Sequence, residues 1–85
     1  MPAYLIVRAD VEEASREKFD LWYEAEHLPD ALRDFRAVSA MRGWSDIERG
    51  IHLAFYEFPD LNTANNLLSS DLMKEFIKEF DRHWA

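Results

Sequence analysis

The chain has 85 residues, of which 48% are hydrophobic and 14% aromatic, a length that suits one small domain whose core a partner chain often helps to complete. Its 10 basic and 17 acidic residues give a net charge of −7, which argues against nucleic acid or an anionic membrane surface as a partner. The lack of cysteine excludes disulfides and thiolate chemistry and removes the commonest zinc ligands.

The start of the chain and its hydropathy predict a soluble, cytoplasmic protein. Residues 1–8 hold a short apolar run without the basic lead-in and cleavage site of a signal peptide. No segment approaches the ~20 apolar residues that a membrane helix needs. Because there is no repeat, low-complexity tract or linker, residues 1–85 are predicted to form a single domain.

The first two elements are predicted to be a strand and a helix. Residues 3–9 are rich in β-branched and aromatic types, and their continuous apolarity predicts a strand that is buried on both faces. Residues 15–27 are predicted to be helical, and acidic residues suit the positive end of this helix. Pro29 is expected to stop it, and residues 30–34 are expected to be a short helical turn or loop.

Two further strands are predicted to pair as an antiparallel hairpin. Residues 35–45 alternate along a strand, with Arg42 and Trp44 on one face and Met41 on the other. Residues 51–58 have the clearest strand pattern in the chain. A polar connection between the two runs completes the hairpin.

Helical patterns follow the third strand. Asp60 can cap a helix that breaks near Ser69, and Asp71 can cap the last helix. The last helix carries a wide apolar stripe formed by Leu72, Met73, Phe76, Ile77, Phe80 and Trp84. The predicted order is therefore β-α-β-β-α-α, which is an α+β fold.

The chain resembles the dimeric α+β barrel superfamily, with the likeness greatest to its small uncharacterised members and to the EthD-like group. The resemblance covers most of the chain and depends on a first strand, a helix that closes in Trp22, Tyr23, His27, Leu28 and Pro29, a strand that bears Arg42, and a strand that ends in Tyr56, Glu57 and Phe58. The helix motif is distinctive, whereas the strand pattern is generic.

The resemblance implies a ferredoxin-like domain with an antiparallel sheet. Members pair through the helix-free face of the sheet, so the likeness implies a homodimer that forms an α+β barrel. Relatives usually carry a fourth strand after the last helix, but this chain stops at His83, Trp84 and Ala85. Either the sequence is truncated or the sheet has three strands, and the second alternative leaves the barrel open.

The superfamily includes cofactor-free monooxygenases, haem-dependent enzymes, lyases, polyketide cyclases and proteins without known activity, so the fold alone selects no reaction. In EthD-like and cyclase-like relatives a histidine near the end of the first helix lies close to the cleft between helix and sheet. Only His27 matches that histidine here. No sequence feature demands haem or another cofactor, so none is expected.

His27 and Tyr23 are the candidate catalytic residues. An imidazole titrates near neutrality, so His27 suits a general acid or base, whereas the alternative is that it caps the end of the helix. Tyr23 lies one turn earlier and could donate a hydrogen bond to a substrate carbonyl. The alternative for Tyr23 is core packing with a satisfied hydroxyl, and this alternative is favoured.

The candidate ligand-binding residues surround the same predicted cleft. Inward cations on otherwise apolar strands would favour a carboxylate or enolate ligand. The alternative pairs Arg8 with Glu57 across the sheet and leaves Arg42 solvated at a strand end, and this alternative is favoured because buried charges are rare unless paired. The full candidate set is Arg8, Trp22, Arg42, Trp44, His52 and Tyr56.

Metal binding is not predicted. His27, His52 and His83 lack the i,i+4 spacing of helical metal sites, and no HExxH-type pattern is present. Two functions remain open. The first is a homodimer that binds a small apolar or anionic organic molecule and uses His27 for cofactor-free cyclase, lyase or oxygenase chemistry. The second is a dimerisation or ligand-sensing module without catalysis.

Overall fold

The computed structural model describes the backbone of residues 1–84 and the side chains of residues 1–82. Three antiparallel strands form one sheet in the order β1-β3-β2, and helices cover one of its faces. The strands are β1 at Ala3–Asp10, β2 at Ser39–Trp44 and β3 at Ile51–Phe58. The order β-α-β-β-α-α confirms the predicted α+β, ferredoxin-like arrangement, and no fourth strand occurs within residues 1–84.

The first helical run is longer than predicted. It consists of a 3-10 turn at Glu13–Ser15, α1 at Arg16–Trp22, a π-helical turn at Tyr23–His27 and α2 at Leu28–Asp34. The prediction that Pro29 ends the helix is wrong. Residues 30–34 are helical, as one of the two predicted alternatives had it, but they continue the same helical run instead of forming a separate short turn. Pro29 lies in the first turn of α2, directly after the π turn, where a missing N–H is tolerated.

This extension shortens the second strand. Because α2 continues to Asp34 and Arg36 adopts a left-handed conformation with φ of 56°, β2 begins at Ser39 rather than at residue 35. The antiparallel pairing of β2 with β3 is confirmed and runs from Ser39 opposite Glu57 to Trp44 opposite His52.

Two short polar side chains begin the last helices. Asp60 caps α3, which spans Leu61–Leu68, by accepting the backbone N–H of Thr63 at 2.7 Å, so this prediction is confirmed. α4 spans Asp71–Trp84, but the predicted cap is wrong by one residue. The Ser70 hydroxyl rather than Asp71 accepts the N–H of Met73, at 3.2 Å. The Trp84 side chain of the predicted stripe lies outside the described residues.

The core lies between the helices and the inner face of the sheet. Its largest fully buried side chains are Phe19, Tyr23, His52, Tyr56 and Phe58. The opposite face, called the outer face below, consists of Tyr4, Ile6, Arg8, Ser39, Met41, Gly43, Leu53, Phe55 and Glu57. In the single chain this outer face is open to solvent, so β1 is not buried on both faces as the sequence predicted.

Candidate functional site

A polar cluster lies at one end of the inner face, where α1 crosses β2 and β3. We call it the Arg42 cluster, and its members are Asp20, Glu24, Arg42, Trp44 and His52. The alternation of β2 sends Arg42 and Trp44 to the inner face, and Trp44 lies opposite His52 in the register. Asp20 and Glu24 are one turn apart on the first helical run, so they approach the strands from above.

Arg42 is the centre of this cluster, and its side chain is only 11% exposed. Its Nη1 donates to Asp20 Oδ1 at 2.8 Å, and its Nε donates to Glu24 Oε2 at 2.9 Å. Its Nη2 also donates to the backbone oxygen of Asp20 at 3.1 Å, and the indole Nε1 of Trp44 donates to Asp20 Oδ1 at 3.0 Å. The guanidinium therefore connects β2 to the helix, and Arg42 is not the solvated side chain of the alternative interpretation.

His52 is neutral in this arrangement. Arg42 Nη1 lies 3.2 Å from His52 Nε2, and because a guanidinium can only donate, Nε2 accepts and the proton is on Nδ1. Burial, followed by the nearby Arg42 charge, lowers the pKa of His52 to about 4, while Asp20 opposes the shift. His52 therefore acts as a hydrogen-bond acceptor rather than as a cation near neutral pH.

The same contacts keep the cluster's acid and base ionised. Hydrogen bonds from Arg42 and then Trp44 hold the pKa of Asp20 below its ordinary value. Burial alone would lower the pKa of Arg42, but its hydrogen bonds to Asp20 and Glu24 outweigh burial and raise it. Asp20 and Arg42 thus form an ionised pair beside one neutral imidazole.

Tyr23 and Tyr56 meet in the middle of the core. Their hydroxyl oxygens are 3.0 Å apart, and neither side chain is exposed. Burial raises the pKa of both phenols, and that of Tyr23 far above the ordinary value, so neither ionises near neutral pH. The two hydroxyls hydrogen-bond each other, and Arg42 lies 5.8 Å from the centre of the Tyr23 ring.

His27 ends the π turn, one helical turn after Tyr23, and aromatic side chains surround it. It is 3% exposed and stacks on Trp22, with ring centroids 4.4 Å apart and planes 26° apart. Phe76 of α4 lies against the imidazole at 4.0 Å, and the Tyr23 ring lies edge-on at 4.7 Å. The π turn therefore directs both Tyr23 and His27 into the interior.

A small cavity of about 130 Å³ opens beside His27. Its lining, called the His27 cavity below, consists of Trp22, Glu26, His27, Asp30 and Glu79. Three of these five residues carry carboxylates, so the potential in the cavity is negative and favours a cationic or neutral guest. A volume below ~300 Å³ is smaller than an ordinary ligand pocket, so the cavity suits a molecule of a few non-hydrogen atoms.

A second and larger concavity lies between the free edge of β1 and α4. We call it the β1–α4 groove, and its volume is about 420 Å³. Its lining is apolar apart from Arg8 and consists of Leu5, Ile6, Val7, Arg8, Leu68, Met73, Phe76, Ile77 and Phe80. The sequence did not single out this groove, because its walls are far apart along the chain.

The structure brings most of the predicted site residues to the inner side of the sheet. Trp22, Tyr23, His27, Arg42, Trp44, His52 and Tyr56 all lie there. They occupy two ends of one aromatic core rather than one cleft, with Tyr23 between the Arg42 cluster and His27.

Arg8 is separate from that core. Its side chain lies on the outer face and bonds Glu48 at 3.3 Å, with both groups more than half exposed. It does not pair with Glu57, as the alternative interpretation had it, because the register places Tyr4 opposite that glutamate. Glu57 instead accepts from the Ser39 hydroxyl at 3.0 Å.

Sequence reasoning missed four of the acidic residues at these sites, namely Asp20, Glu24, Asp30 and Glu79. A signal was available for two of them, since Asp20 and Glu24 are four residues apart and flank the aromatic positions of one helix face. Glu79 is on α4, far along the chain from His27, so no local pattern predicts that it lines the cavity.

Within the part of the chain that the structure describes, no three acidic or histidine residues are placed to hold a metal ion. No helix among the described residues is long and apolar enough to cross a membrane. Comparisons with protein-family models, with curated proteins and with solved structures find no match to this chain. The function must therefore be argued from the geometry.

Proposed function

We propose that this protein is a homodimer of the dimeric α+β barrel type that pairs through the outer face of its sheet and binds a small organic molecule. The observation that supports pairing is the composition of that face. Its central row is Ile6, Phe55 and Met41, adjacent in the register, and Ile6 and Met41 are 56% and 65% exposed. A contiguous apolar patch on a sheet is typical of an interaction surface.

A second copy is the occupant that the charges of this face favour. Along the strand direction, Arg8 lies two residues from the apolar row, and Glu57 lies two residues from it in the opposite direction. Consider a two-fold axis that lies between the two sheets and runs perpendicular to the strands. It reverses the strand direction, so the Arg8 row and the Glu57 row exchange places between the copies. It therefore places Arg8 of one copy over the row that holds Tyr4 and Glu57 of the other.

Native mass spectrometry tests the pairing. Met41→Lys buries a charge at the centre of the proposed interface, so it should halve the mass of the assembly. Ile47→Lys is the matched control, because Ile47 is apolar and 90% exposed but lies outside the sheet. Equal masses for Met41→Lys, Ile47→Lys and the parent chain would reject this interface, provided that circular dichroism shows all three folded.

The ligand of the proposed function belongs in the His27 cavity. His27 supplies an acid-base group, Trp22 supplies an aromatic wall, and three residues with carboxylates complete the lining. The negative lining favours a small amine or neutral molecule, whereas the sequence suggested an apolar or anionic ligand. Proton transfer by His27 is the reaction that this geometry supports if the site is catalytic, and His27→Gln would then stop turnover while leaving the dimer intact.

NMR titration of the Trp22 indole N–H tests this site. Ethylammonium should shift the resonance in a saturable manner, whereas acetate should not, because only the cation is attracted to the carboxylates. Glu26→Gln should weaken the response to ethylammonium, and Glu12→Gln, which changes an exposed acid outside the cavity lining, should leave it unchanged. A shift with acetate alone, or the absence of a shift with either probe, would reject the cavity as a site for cations.

A further inference from the structure

β1 is an edge strand, and within the described part of the chain no other strand pairs with its free hydrogen-bonding edge. It pairs only with β3, and that register is continuous from Ala3 opposite Phe58 to Asp10 opposite Ile51. The eight-residue strand contains no proline, and its unbroken register contains no bulge. Proline and bulges are common means by which proteins block an edge, so β1 is ready to pair with another strand.

The β1–α4 groove lies along this edge and shows what kind of molecule fits. Four consecutive residues, Leu5 to Arg8, line it, so the unpaired backbone groups of the edge form part of its wall. Met73, Phe76, Ile77 and Phe80 of α4 supply the opposite, apolar wall. A purely apolar small molecule would leave the backbone groups unpaired, whereas an extended strand both bonds them and fills the apolar space.

We propose that β1 of a second copy is the strand that occupies this edge, antiparallel to β1 and related to it by a two-fold axis at Ile6. This register places Ile6 opposite Ile6 and Leu5 opposite Val7 of the other copy. Arg8, the one charged residue between positions 3 and 9, then lies opposite Tyr4, so no like charges meet. Two three-stranded sheets thus become one continuous six-stranded sheet.

The apolar rim of the groove favours a second copy over an isolated peptide. Leu68 and Ile77 line the groove from the helical layer and are 53% and 52% exposed. A single added strand would pair with the edge but would leave these helical side chains in water. A two-fold axis normal to the sheet places α4 of the second copy beside α4 of the first, so the two helices cover each other's apolar rim.

This edge interface is distinct from the outer-face interface proposed above. With both interfaces formed, two of the proposed homodimers make a tetramer, and substitutions separate the two interfaces. Ile77→Lys places a charge in the helical rim, so it should halve the mass of the assembly seen by native mass spectrometry. Leu61→Lys is the control, because Leu61 is 65% exposed on α3 and does not line the groove. Ile77→Lys combined with Met41→Lys should give a folded monomer.

A cross-link tests the register, since the chain has no cysteine of its own. In the Met41→Lys background, which removes the outer-face interface, Ile6→Cys should form a disulfide-linked dimer on oxidation. Residues opposite each other in an antiparallel pair have Cα atoms about 4.5 to 5.5 Å apart, within disulfide range. Tyr4→Cys should not cross-link, because in this register its two copies lie about 13 Å apart along the strands.

The outcomes distinguish the two interfaces. If Ile77→Lys halves the mass of the assembly and Met41→Lys does not, the edge interface is supported and the outer-face interface is rejected. The reverse result would support the outer-face interface and reject the edge interface. An Ile77→Lys mass equal to that of Leu61→Lys and the parent chain would overturn the edge interface. A small-molecule adduct that Ile77→Lys removes without changing the number of subunits would assign the groove to a ligand and would also overturn it.

Discussion

The hydrogen bond between Tyr23 and Tyr56 joins two hydroxyls that no water reaches. Tyr23→Phe removes one partner and leaves the other hydroxyl buried and unpaired, so it should lower the free energy of unfolding by about 1 to 3 kcal/mol. Tyr56→Phe should have a similar effect. Urea denaturation followed by tryptophan fluorescence measures both changes.

The double variant is the decisive control for this pair. Once Tyr23→Phe and Tyr56→Phe are combined, no unpaired hydroxyl remains, so the double variant should be less destabilised than the sum of the single changes. Strictly additive effects would contradict the direct bond between the hydroxyls. They would indicate that each hydroxyl contributes through separate contacts.

His52 makes stability depend on pH between its ordinary and folded pKa values. In the unfolded chain the imidazole gains a proton near pH 6.5, but in the folded protein it resists protonation until about pH 4. The unfolded state therefore binds more protons in this window, and stability should fall as the pH is lowered from 6.5 to 4, by at most about 1.4 kcal/mol per unit. Thermal unfolding at a series of pH values measures the slope.

His52→Gln is the matched variant for this effect. An amide oxygen can still accept from Arg42 but does not titrate, so the slope between pH 6.5 and 4 should become shallower. Below pH 4 both proteins should lose stability, because protonation of Asp20 removes the negative charge that pairs with Arg42. An unchanged slope in His52→Gln would show that another group causes the pH dependence of stability between pH 6.5 and 4.

At the scale of elements, Gly50 determines how the β2–β3 connection meets the first helix. Its φ of +82° is in the left-handed region, and its carbonyl accepts the N–H of Val11 at 2.8 Å. A Cβ at this position would contact the Arg16 guanidinium and lie 2.9 Å from the backbone oxygen of Val11. Gly50→Ala should therefore destabilise the protein by at least about 1 kcal/mol, as measured by chemical denaturation.

The chain contains only one other glycine, and it provides the control. Gly43 lies within β2, and a Cβ there would meet nothing within 4 Å. In the Met41→Lys background, which removes the proposed outer-face interface, Gly43→Ala should be neutral or stabilising, by up to about 1 kcal/mol, because alanine loses less backbone entropy on folding. Equal losses in the two variants would mean that the left-handed turn at Gly50 is not the cause.

Elements with strong local signals were predictable from the sequence. The β-branched and aromatic runs of β1 and β3 and the Asp60 cap of α3 all appear where the pattern placed them. The stop at Pro29 failed because the π turn before it is a departure from α-helical geometry that residue propensities do not encode. The late start of β2 at Ser39 follows directly from that failure.

Contacts between elements were less predictable. Alternation along β2 correctly placed Arg42 and Trp44 on one face, as the two-residue period requires. The partner of Arg42 is Asp20, 22 residues earlier, and no local pattern specifies a pairing over that distance. The structure therefore has two separate regions along one core, the Arg42 cluster and the His27 cavity, whereas the sequence suggested a single cleft.

At the scale of the whole molecule, net charge opposes assembly. Each copy carries −7, so two copies repel each other at low ionic strength. Raising the salt concentration from 0.01 M to 0.15 M shortens the screening length from about 30 Å to about 8 Å, which should tighten self-association. Analytical ultracentrifugation at the two salt concentrations measures the change in Kd.

The opposite salt dependence would also be informative. Weaker association at the higher concentration would mean that ion pairs between copies, such as Arg8 with Glu57 in the outer-face interface, outweigh the overall repulsion. Glu57→Gln would then remove much of the salt dependence, whereas Glu12→Gln, at an exposed position away from both interfaces, would not.

The π turn at Tyr23–His27 has a consequence for evolution. The Leu28 N–H bonds the carbonyl of Tyr23, five residues back, so this turn holds one residue more than an α-helical turn would. A wide turn of this kind lets a helix absorb a single-residue insertion locally, without refolding the segments on either side. An ancestor with an unbroken α-helix here would be one residue shorter, and a correct alignment to such a sequence places its gap within residues 23–27.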